Sequence, residues 1–562
     1  MASPSYTVGI DFGTSTTLVA EGSPAGRASV VPIGLRDPWL PSVATMDATG
    51  AVIVGEDAES VSPARLIRSV KRAITRRQAV VHSEDGSVSA NRDDVIVAVL
   101  SEVVRRAREN QLDVADPGAV RLGCPSMWDA DQRRLLLDLA QKAGLAVGAS
   151  TLIDEPIAAG LMWIHERDRA RKYHDNDRVL IFDMGGGTLD VALLDVTTGP
   201  GREPEIYVLA SKGVDEAGDR LDEEIAKDLI GLLAEHGVDF DTLDDPALAR
   251  AYVQRAATEA KIALSEHSTT HVEFDYRGAK LPSVEYTVGQ LNDCLAPQLQ
   301  RAWALVDWAM RAALLTHESR SAAKSVRTTD GIRQLPLEEI VGTIDHVVLV
   351  GGMSRVPEVA RYLMARLPNA EAHTFVGGRH SSTPGPQEAI AAGLAEPVSY
   401  EQVNLHLPGF DFVLDIPGRS PVTLYRAHTP FYEPWEAMNR TRVFYDWPGG
   451  ATAHLAGQAR DLPTSGSGTL RVRALDGSLV TMRESNDAHD RTVEGLRVGF
   501  GAHKLRFTLA PDGRMQIVDG VGTEQSLRIT RWPALRSSQR GLSLRVEEPR
   551  WLPDERRAWD TK

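Results

Sequence analysis

Apolar residues in this chain occur in three textures. Short continuous runs, Val8-Gly9-Ile10, Val179-Leu180-Ile181-Phe182 and Val347-Val348-Leu349-Val350, are of strand length and predict strands buried on both faces. Runs with helical spacing predict an amphipathic helix from Asp94 to about Asn110, and further helices over 220–235, 247–266 and 286–313. From position 397 the texture changes to short alternating segments, 412–416, 422–425 and 470–474. In 504–518, Leu505, Phe507 and Leu509 alternate with polar residues, Asp512-Gly513 supplies a turn, and Met515 and Ile517 return. That alternation continues through 525–548, so an all-β unit of sandwich type is expected after the mixed α/β part. The polar stretch 167–177 reads as a solvated connection, and 319–335 as a surface insertion.

Three of the strand ends carry candidate chemistry. Ile10-Asp11-Phe12-Gly13-Thr14-Ser15-Thr16 and Phe182-Asp183-Met184-Gly185-Gly186-Gly187-Thr188-Leu189-Asp190 are variants of one device: a strand, an Asp, a Gly/Thr turn and a returning strand. Glycine lets backbone approach a ligand closely, and successive N–H groups in such a turn favour an anion. The Asp offers an oxygen of the kind a hydrated Mg²⁺ accepts. One such turn is commonly only a turn, but two in one chain point to a duplicated domain with a phosphate-bearing nucleotide between its halves. Val350-Gly351-Gly352-Met353-Ser354-Arg355-Val356-Pro357 adds a third element, a Gly-Gly turn opening a helix with Pro in its first turn.

In this order and spacing the motifs resemble the actin-like ATPase domain of the heat-shock-70 (DnaK-type) chaperones. Asp154-Glu155-Pro156-Ile157-Ala158-Ala159-Gly160, Gly218-Asp219-Arg220-Leu221-Asp222, Glu259–Ser265, Ser69–Ile74 and Gln387–Ala395 each resemble segments of that domain. The resemblance covers residues 6 to about 396. It implies an α/β two-lobed domain with duplicated ribonuclease H-like lobes (1–177 and 178–396), a linker (397–409), a β-sandwich-like domain (410–550) and a tail (551–562). Hydrated Mg²⁺ would be held by Asp11 and Asp183, and phosphates by Gly13, Thr14 and Ser15 on one side and Gly185, Gly186, Gly187 and Thr188 on the other. Lys71 would orient the attacking water with Thr188, Glu155 and Asp190. Adenosine would rest on Lys261, Ser265, Gly351, Gly352 and Arg355, although Lys261 could simply pair with an acid on its own helix. Pro125 and Arg133 match the family's interdomain relay, or are structural.

Two departures from that pattern matter. Val403-Asn404-Leu405-His406-Leu407-Pro408 stands where the family has a short leucine-rich linker with acidic flanks, and no helical lid is expected after the β-domain. The resemblance therefore implies a slow ATPase, binding ATP or ADP, whose nucleotide state controls a lidless β-domain that grips a polypeptide client. The alternative is a slow or non-cycling ATP-binding scaffold or sensor that docks one dedicated partner. A co-chaperone or exchange factor is a further expected partner. A small-molecule kinase and a filament former share the fold.

Composition narrows the partners. The 562 residues require more than one domain. A net charge of −15 argues against a nucleic-acid binder. The Arg-rich stretch 65–77 reads as a solvated helix face carrying one catalytic lysine. Two cysteines, Cys124 and Cys294, make neither a disulfide framework nor a zinc site, and fit a reducing cytoplasm. No secretion leader or membrane span is expected.

Overall fold

The structure is a computed structural model. It describes residues 6–546 except 24–26, 62, 149–150, 277–279, 317–331, 333, 376, 378–383, 397–399, 405, 431–442, 448–451, 456–457, 486–489, 504, 510–512 and 532–540. Most of the expected insertion at 319–335, Asp512 of the expected turn and the expected tail at 551–562 lie outside the described residues.

The first two strands, β1 (Thr7–Phe12) and β2 (Thr16–Gly22), form the hairpin on which the first Asp–Gly–Thr turn sits. With β3 (Ser29–Val31), β4 (Val120–Cys124) and β5 (Leu152–Asp154) they give the order β5-β4-β1-β2-β3. Neighbours of β1 on the β4 side run parallel, and the hairpin side runs antiparallel. The second sheet repeats this plan. It consists of β6 (Asp177–Met184), β7 (Leu189–Thr197), β8 (Glu205–Val214), β9 (His346–Val350) and β10 (Glu371–Thr374), in the order β10-β9-β6-β7-β8. Strands β1 and β9 are buried along their whole length and β6 from Arg178 onward, which is why their sequences are continuous apolar runs rather than alternating ones.

Helices cover these sheets. The expected helix from Asp94 to about Asn110 is α2 (Arg92–Glu109); Asn91 caps it, its side chain accepting from the Asp93 N–H at 2.8 Å. Ahead of it lies the short α1 (Val70–Thr75). Next comes α3 (Ala130–Lys142), which opens with a reciprocal box: Asp129 accepts from the Gln132 N–H, and the Gln132 side chain accepts from the Asp129 N–H. Further along are α4 (Glu155–Arg169), α5 (Gly218–Glu235) and α6 (Pro246–Leu264). The helix expected over 286–313 begins only at Val288, as α7 (Val288–Thr316); Val284–Thr287 instead pairs as a strand with Thr269–Val272. Tyr286 there is fully buried with its hydroxyl donating to Asp228, so strand pairing overrides the helical period.

The last helix of this region, α8 (Ala389–Ala395), is made of small and aliphatic residues and is wholly buried. It packs on α4 and on the first sheet, and Arg121 of β4 donates to the Leu394 carbonyl at 3.2 Å and to the Glu396 carbonyl. Beyond it, within the stretch expected to be a linker, β11 (Glu401–Asn404) adds to the second sheet as a parallel edge strand on β8.

The C-terminal region is built on β-structure. A four-stranded sheet holds β12 (Asp411–Asp415), β13 (Val422–Tyr425), Gly466–Arg473 and Leu496–Phe500, and a seven-stranded sheet spans Val443–Trp447 to Leu542–Val546. The hairpin expected over 504–518 is present as Leu505–Leu509 paired with Arg514–Val518, with Phe507 opposite Ile517 and Leu509 opposite Met515. Phe412 of the smaller sheet meets Phe507 of the larger with ring centroids 5.7 Å apart, and both are fully buried, so the apolar faces of the two sheets share one core. Among the described residues after Gly522 there is no helix; Glu524–Arg531 and Leu542–Val546 are strands.

Candidate functional site

The carboxyl ends of β1 and β6, each the central strand of its sheet, bring Asp11 and Asp183 to the seam between the two halves. Open α/β sheets place ligands outside such strand ends. The Gly/Thr turns that follow lie against each other. A Cβ built on Gly187 would stand 2.6 Å from the Thr14 side chain, and one on Gly186 would stand 2.2 Å from Ser15 Oγ. Glycine is required there for space between the hairpins rather than for an unusual backbone. Gly185 turns back through its N–H to the Thr188 carbonyl at 3.0 Å. The Gly218–Asp219 turn closes over this loop, with Asp219 N–H donating to Gly186 O at 2.6 Å and Gly218 N–H to Gly185 O at 3.1 Å.

Lys71 lies beneath these loops. It is 3% exposed and is therefore not a surface lysine. Its ammonium donates to Glu155 at the start of α4 and stands 5.9 Å from the Trp128 ring centroid. Asp190 is opposite Asp183 in the β6–β7 register, and its Oδ1 accepts from the Ser126 N–H at 3.0 Å and Oγ at 2.9 Å. Four buried carboxyl groups, Asp11, Glu155, Asp183 and Asp190, thus share one lysine. Burial raises Asp11 to about 6 and Glu155 to about 7, with the Lys71 charge pulling both back. Burial, followed by the Glu155, Asp190 and Asp11 charges, holds Asp183 far above the usual carboxylate range. Burial disfavours the Lys71 ammonium, but Glu155 and Asp11 outweigh it, so Lys71 stays protonated. A cluster this short of positive charge is chemically suited to a hydrated divalent cation and repels a free anion.

The adenosine candidates form a looser group. Gly351 has φ +80°, and a Cβ there would meet the Met184 carbonyl at 2.4 Å and Asp183 Oδ1 at 2.6 Å. The third motif is therefore pressed against the second hairpin. Ser354 Oγ closes that turn on the Gly351 carbonyl at 2.7 Å, Gly352 faces Gln387, and Arg355 is exposed beside Gly385. Lys261 pairs with Asp222 on α5 at 2.7 Å, not with an acid of its own helix, and Ser265 accompanies it one turn on, its hydroxyl donating to the Lys261 carbonyl.

Other functional contacts were not read from the sequence. The Arg-rich stretch is a solvated face only in part: Arg65, Arg68, Arg76 and Arg77 are exposed, but Val70 to Ile74 are all buried, and Arg72 crosses the seam to Asp215 at 2.6 Å. Arg76 reaches the other oxygen of Asp215 at 2.6 Å, and Ser69 donates to Asp219 at 2.5 Å. Nothing local marks Asp215 as a partner, because 143 residues separate it from Arg72.

Pro125 and Arg133 lie on the floor of the first lobe. Arg133 is 2% exposed and donates to Asp154, the Trp128 carbonyl at 2.8 Å, and Cys124. Hydrogen bonds to the β-domain come from its neighbours on α3, Arg134 to Asp411 and to the Leu475 carbonyl, and Arg426 to Asp131. Cys124 is buried and Cys294 half-buried, and both are free thiols. No helix among the described residues is long and apolar enough to cross a membrane.

Comparison with known proteins bears on this geometry. The model of the family described as "Hsp70 protein" matches residues 7–396. "Chaperone protein DnaK" of Thermotoga maritima is 29% identical over 409 residues, which is 69% of this chain and 58% of the relative. "Chaperone protein DnaK" of Thermosipho africanus is 29% identical over 402 residues with the same coverage. The match thus spans little more than half the length of these relatives.

Proposed function

The chain belongs to the Hsp70 protein family, and from that premise we propose that it is an Mg²⁺-dependent, slow ATPase of chaperone type whose nucleotide state governs polypeptide binding by the β-domain. The observation that carries this reading is the convergence of Lys71 and four buried carboxyl groups directly under two touching Gly/Thr hairpins. Phosphoryl transfer to water needs charge neutralisation, alignment of the attacking water and exclusion of bulk solvent.

The residues divide that work as follows. Asp11 and Asp183 would hold the hydrated Mg²⁺, which supplies the missing positive charge beside the phosphates. The backbone N–H groups of Gly13, Thr14 and Ser15, and of Gly185, Gly186, Gly187 and Thr188, would bind phosphate oxygens from the two sides. Lys71, held in place by Glu155, would donate to the γ-phosphate and the attacking water. The Thr188 hydroxyl and the Asp190 carboxylate, itself fixed by Ser126, would orient that water. Lys261, Ser265, Gly351, Gly352 and Arg355 would receive adenosine, with the Arg355 guanidinium available to stack on the base.

Coupling to the β-domain would run through the strand β11 and the α3 surface. β11 ties the segment after α8 to the edge of the second sheet, while Arg134 and Asp131 hold the β-domain against the first. Pro125 and Arg133 lie immediately beneath that surface and fit a relay from the cleft. A cytoplasmic setting, a co-chaperone and an exchange factor belong to the same reading. The second reading is a slow or non-cycling ATP-binding scaffold in which the β-domain, held against the first lobe by Arg134 and Asp131, docks one dedicated partner.

Turnover decides between the two readings. Purified protein with Mg²⁺ and ATP should hydrolyse slowly, and a pool of unfolded peptides should raise the rate severalfold. Turnover that no peptide changes would leave the ATPase standing and transfer the β-domain to a dedicated partner. No turnover and no ATP binding would remove both.

The hairpin contact has its own consequence. Gly187→Val should weaken ATP binding by at least tenfold in calorimetry, because the new side chain occupies the space of Thr14. Gly231→Ala is the control. It lies exposed on α5 with nothing within 4 Å of an added Cβ. It should leave affinity unchanged and stabilise the helix by about 0.5–1 kcal/mol.

A further inference from the structure

A second cluster of polar groups lies at the opposite end of the second sheet from the nucleotide loops. β9 runs from His346 to Val350 and delivers the Gly351 turn at its far end, so His346 stands at the strand's start. In the parallel register His346 is opposite Glu371 and Val348 is opposite His373. Directly opposed residues and residues two apart share a face of a sheet, so His346, Glu371 and His373 project together. That face is covered by α4, whose Trp163 packs on His346 and His373 with ring centroids 5.1 and 5.4 Å away.

Three atoms converge there. His346 Nδ1 and His373 Nε2 are 3.1 Å apart, and Glu371 Oε2 is 3.5 Å from the first and 3.7 Å from the second. A tetrahedral ion with ligands at its usual distances has ligand–ligand edges of about 3.3–3.5 Å, so this triangle has the size of one face of such a site. The groups behind it are arranged as a metal site requires. The other nitrogen of His346, Nε2, is 3.3 Å from Asp177 Oδ2, a contact that fixes the ring with its Nδ1 lone pair forward. Glu371 gives its other oxygen to Arg167 at 3.4 Å, which aims Oε2 at the histidines. A cavity of about 220 Å³, lined by Trp163, Glu166, Arg167, His373 and Thr374, adjoins His373 and leaves room for water at a fourth position.

An adjoining triad, His174, Asp177 and His346, fits worse. His174 Nδ1 and Asp177 Oδ2 are 2.6 Å apart, the length of a hydrogen bond and too short for a ligand edge. It would also need the His346 nitrogen that Asp177 already orients.

We propose that His346, His373 and Glu371 form a binding site for a first-row divalent transition metal such as Zn²⁺, with Asp177 as the positioning carboxylate behind His346. Two imidazoles and a carboxylate suit zinc, whereas the oxygen cluster under the hairpins suits magnesium. The positive charge of Arg167 acts against the cation and is offset by Glu371, Asp177 and Glu166.

The test is titration of the chelator-treated full-length protein with Zn²⁺ against a chromogenic competitor. One tight equivalent is expected. His373→Gln and Glu371→Gln should each weaken it by at least tenfold, and Asp177→Asn by roughly tenfold. Glu371 is half-exposed, so Glu371→Gln should fold normally, which metal-free melting curves check. Co²⁺ in place of zinc should give visible d–d absorption in the wild type that is absent in His373→Gln. Absence of a tight equivalent in the wild type, or equal binding by wild type and both variants, would overturn the proposal. The 3.1 Å contact would then be a hydrogen bond between the two imidazole rings.

Discussion

Lys71→Ala should reduce single-turnover ATP hydrolysis roughly 10²- to 10³-fold, the usual cost of removing one preorganised charge donor from a reacting centre. The expectation rests on where the side chain is. The ammonium is buried against Glu155 in the proposed water-orienting position, and among the described residues no second lysine shares the cluster with Asp11, Asp183 and Asp190. ATP binding measured by calorimetry should change far less than turnover, because the phosphate-facing backbone of Gly13–Ser15 and Gly185–Thr188 is untouched. That contrast separates a catalytic loss from a folding loss. Turnover within threefold of wild type would remove Lys71 from the chemistry and leave it a structural partner of Glu155. An equal drop in binding and turnover would instead place its charge in ground-state affinity.

Arg133→Ala should lower unfolding stability by about 3–5 kcal/mol, the cost of breaking a buried ion pair by removing one partner. Arg133 is 2% exposed; Asp154, also buried, would lose its guanidinium partner, and the Trp128 carbonyl would lose its 2.8 Å donor. Denaturant titration measures this directly. The same variant distinguishes the two readings of the Pro125–Arg133 pair. A purely structural arginine should leave peptide stimulation of the remaining folded enzyme intact, whereas a relay should abolish it. Arg134→Ala is the comparison. Arg134 is part-exposed and its partners, Asp411 and the Leu475 carbonyl, belong to the β-domain, so its loss should cost about 1 kcal/mol or less of stability.

The two hairpins show how much could be read early. Asp11 and Asp183 were legible because the signal is local: an apolar strand, an acid and a Gly/Thr turn lie within ten residues, and the turn has little choice of backbone. The same holds for α2, whose period and Asn91 cap are in the sequence, and for the Phe507–Ile517 hairpin, where alternation dictates the register. The helix expected from Tyr286 failed at its first two residues because Tyr286 is drawn into a strand pair and a hydrogen bond to Asp228, 58 residues away. The solvated-face reading of the Arg-rich stretch failed at Arg72 for a related reason. A helical wheel shows which face is charged, but it does not show that the charge is answered by Asp215 across a cleft.

Sequence by itself determined the family, the order of the motifs, the buried strands and the β-rich character of the last third, since each depends on spacings within one segment or on a recognisable succession of them. Only the tertiary structure decided that Lys71 is buried, that the two glycine turns touch, that Arg134 and Asp131 bond to the β-domain, and that β11 joins the second sheet. It also gathered His346, Glu371 and His373 on one face through strand register. Those facts are side-chain convergences between segments far apart in the chain. Their geometry is fixed by how sheets and helices pack, and no local pattern of residues encodes it.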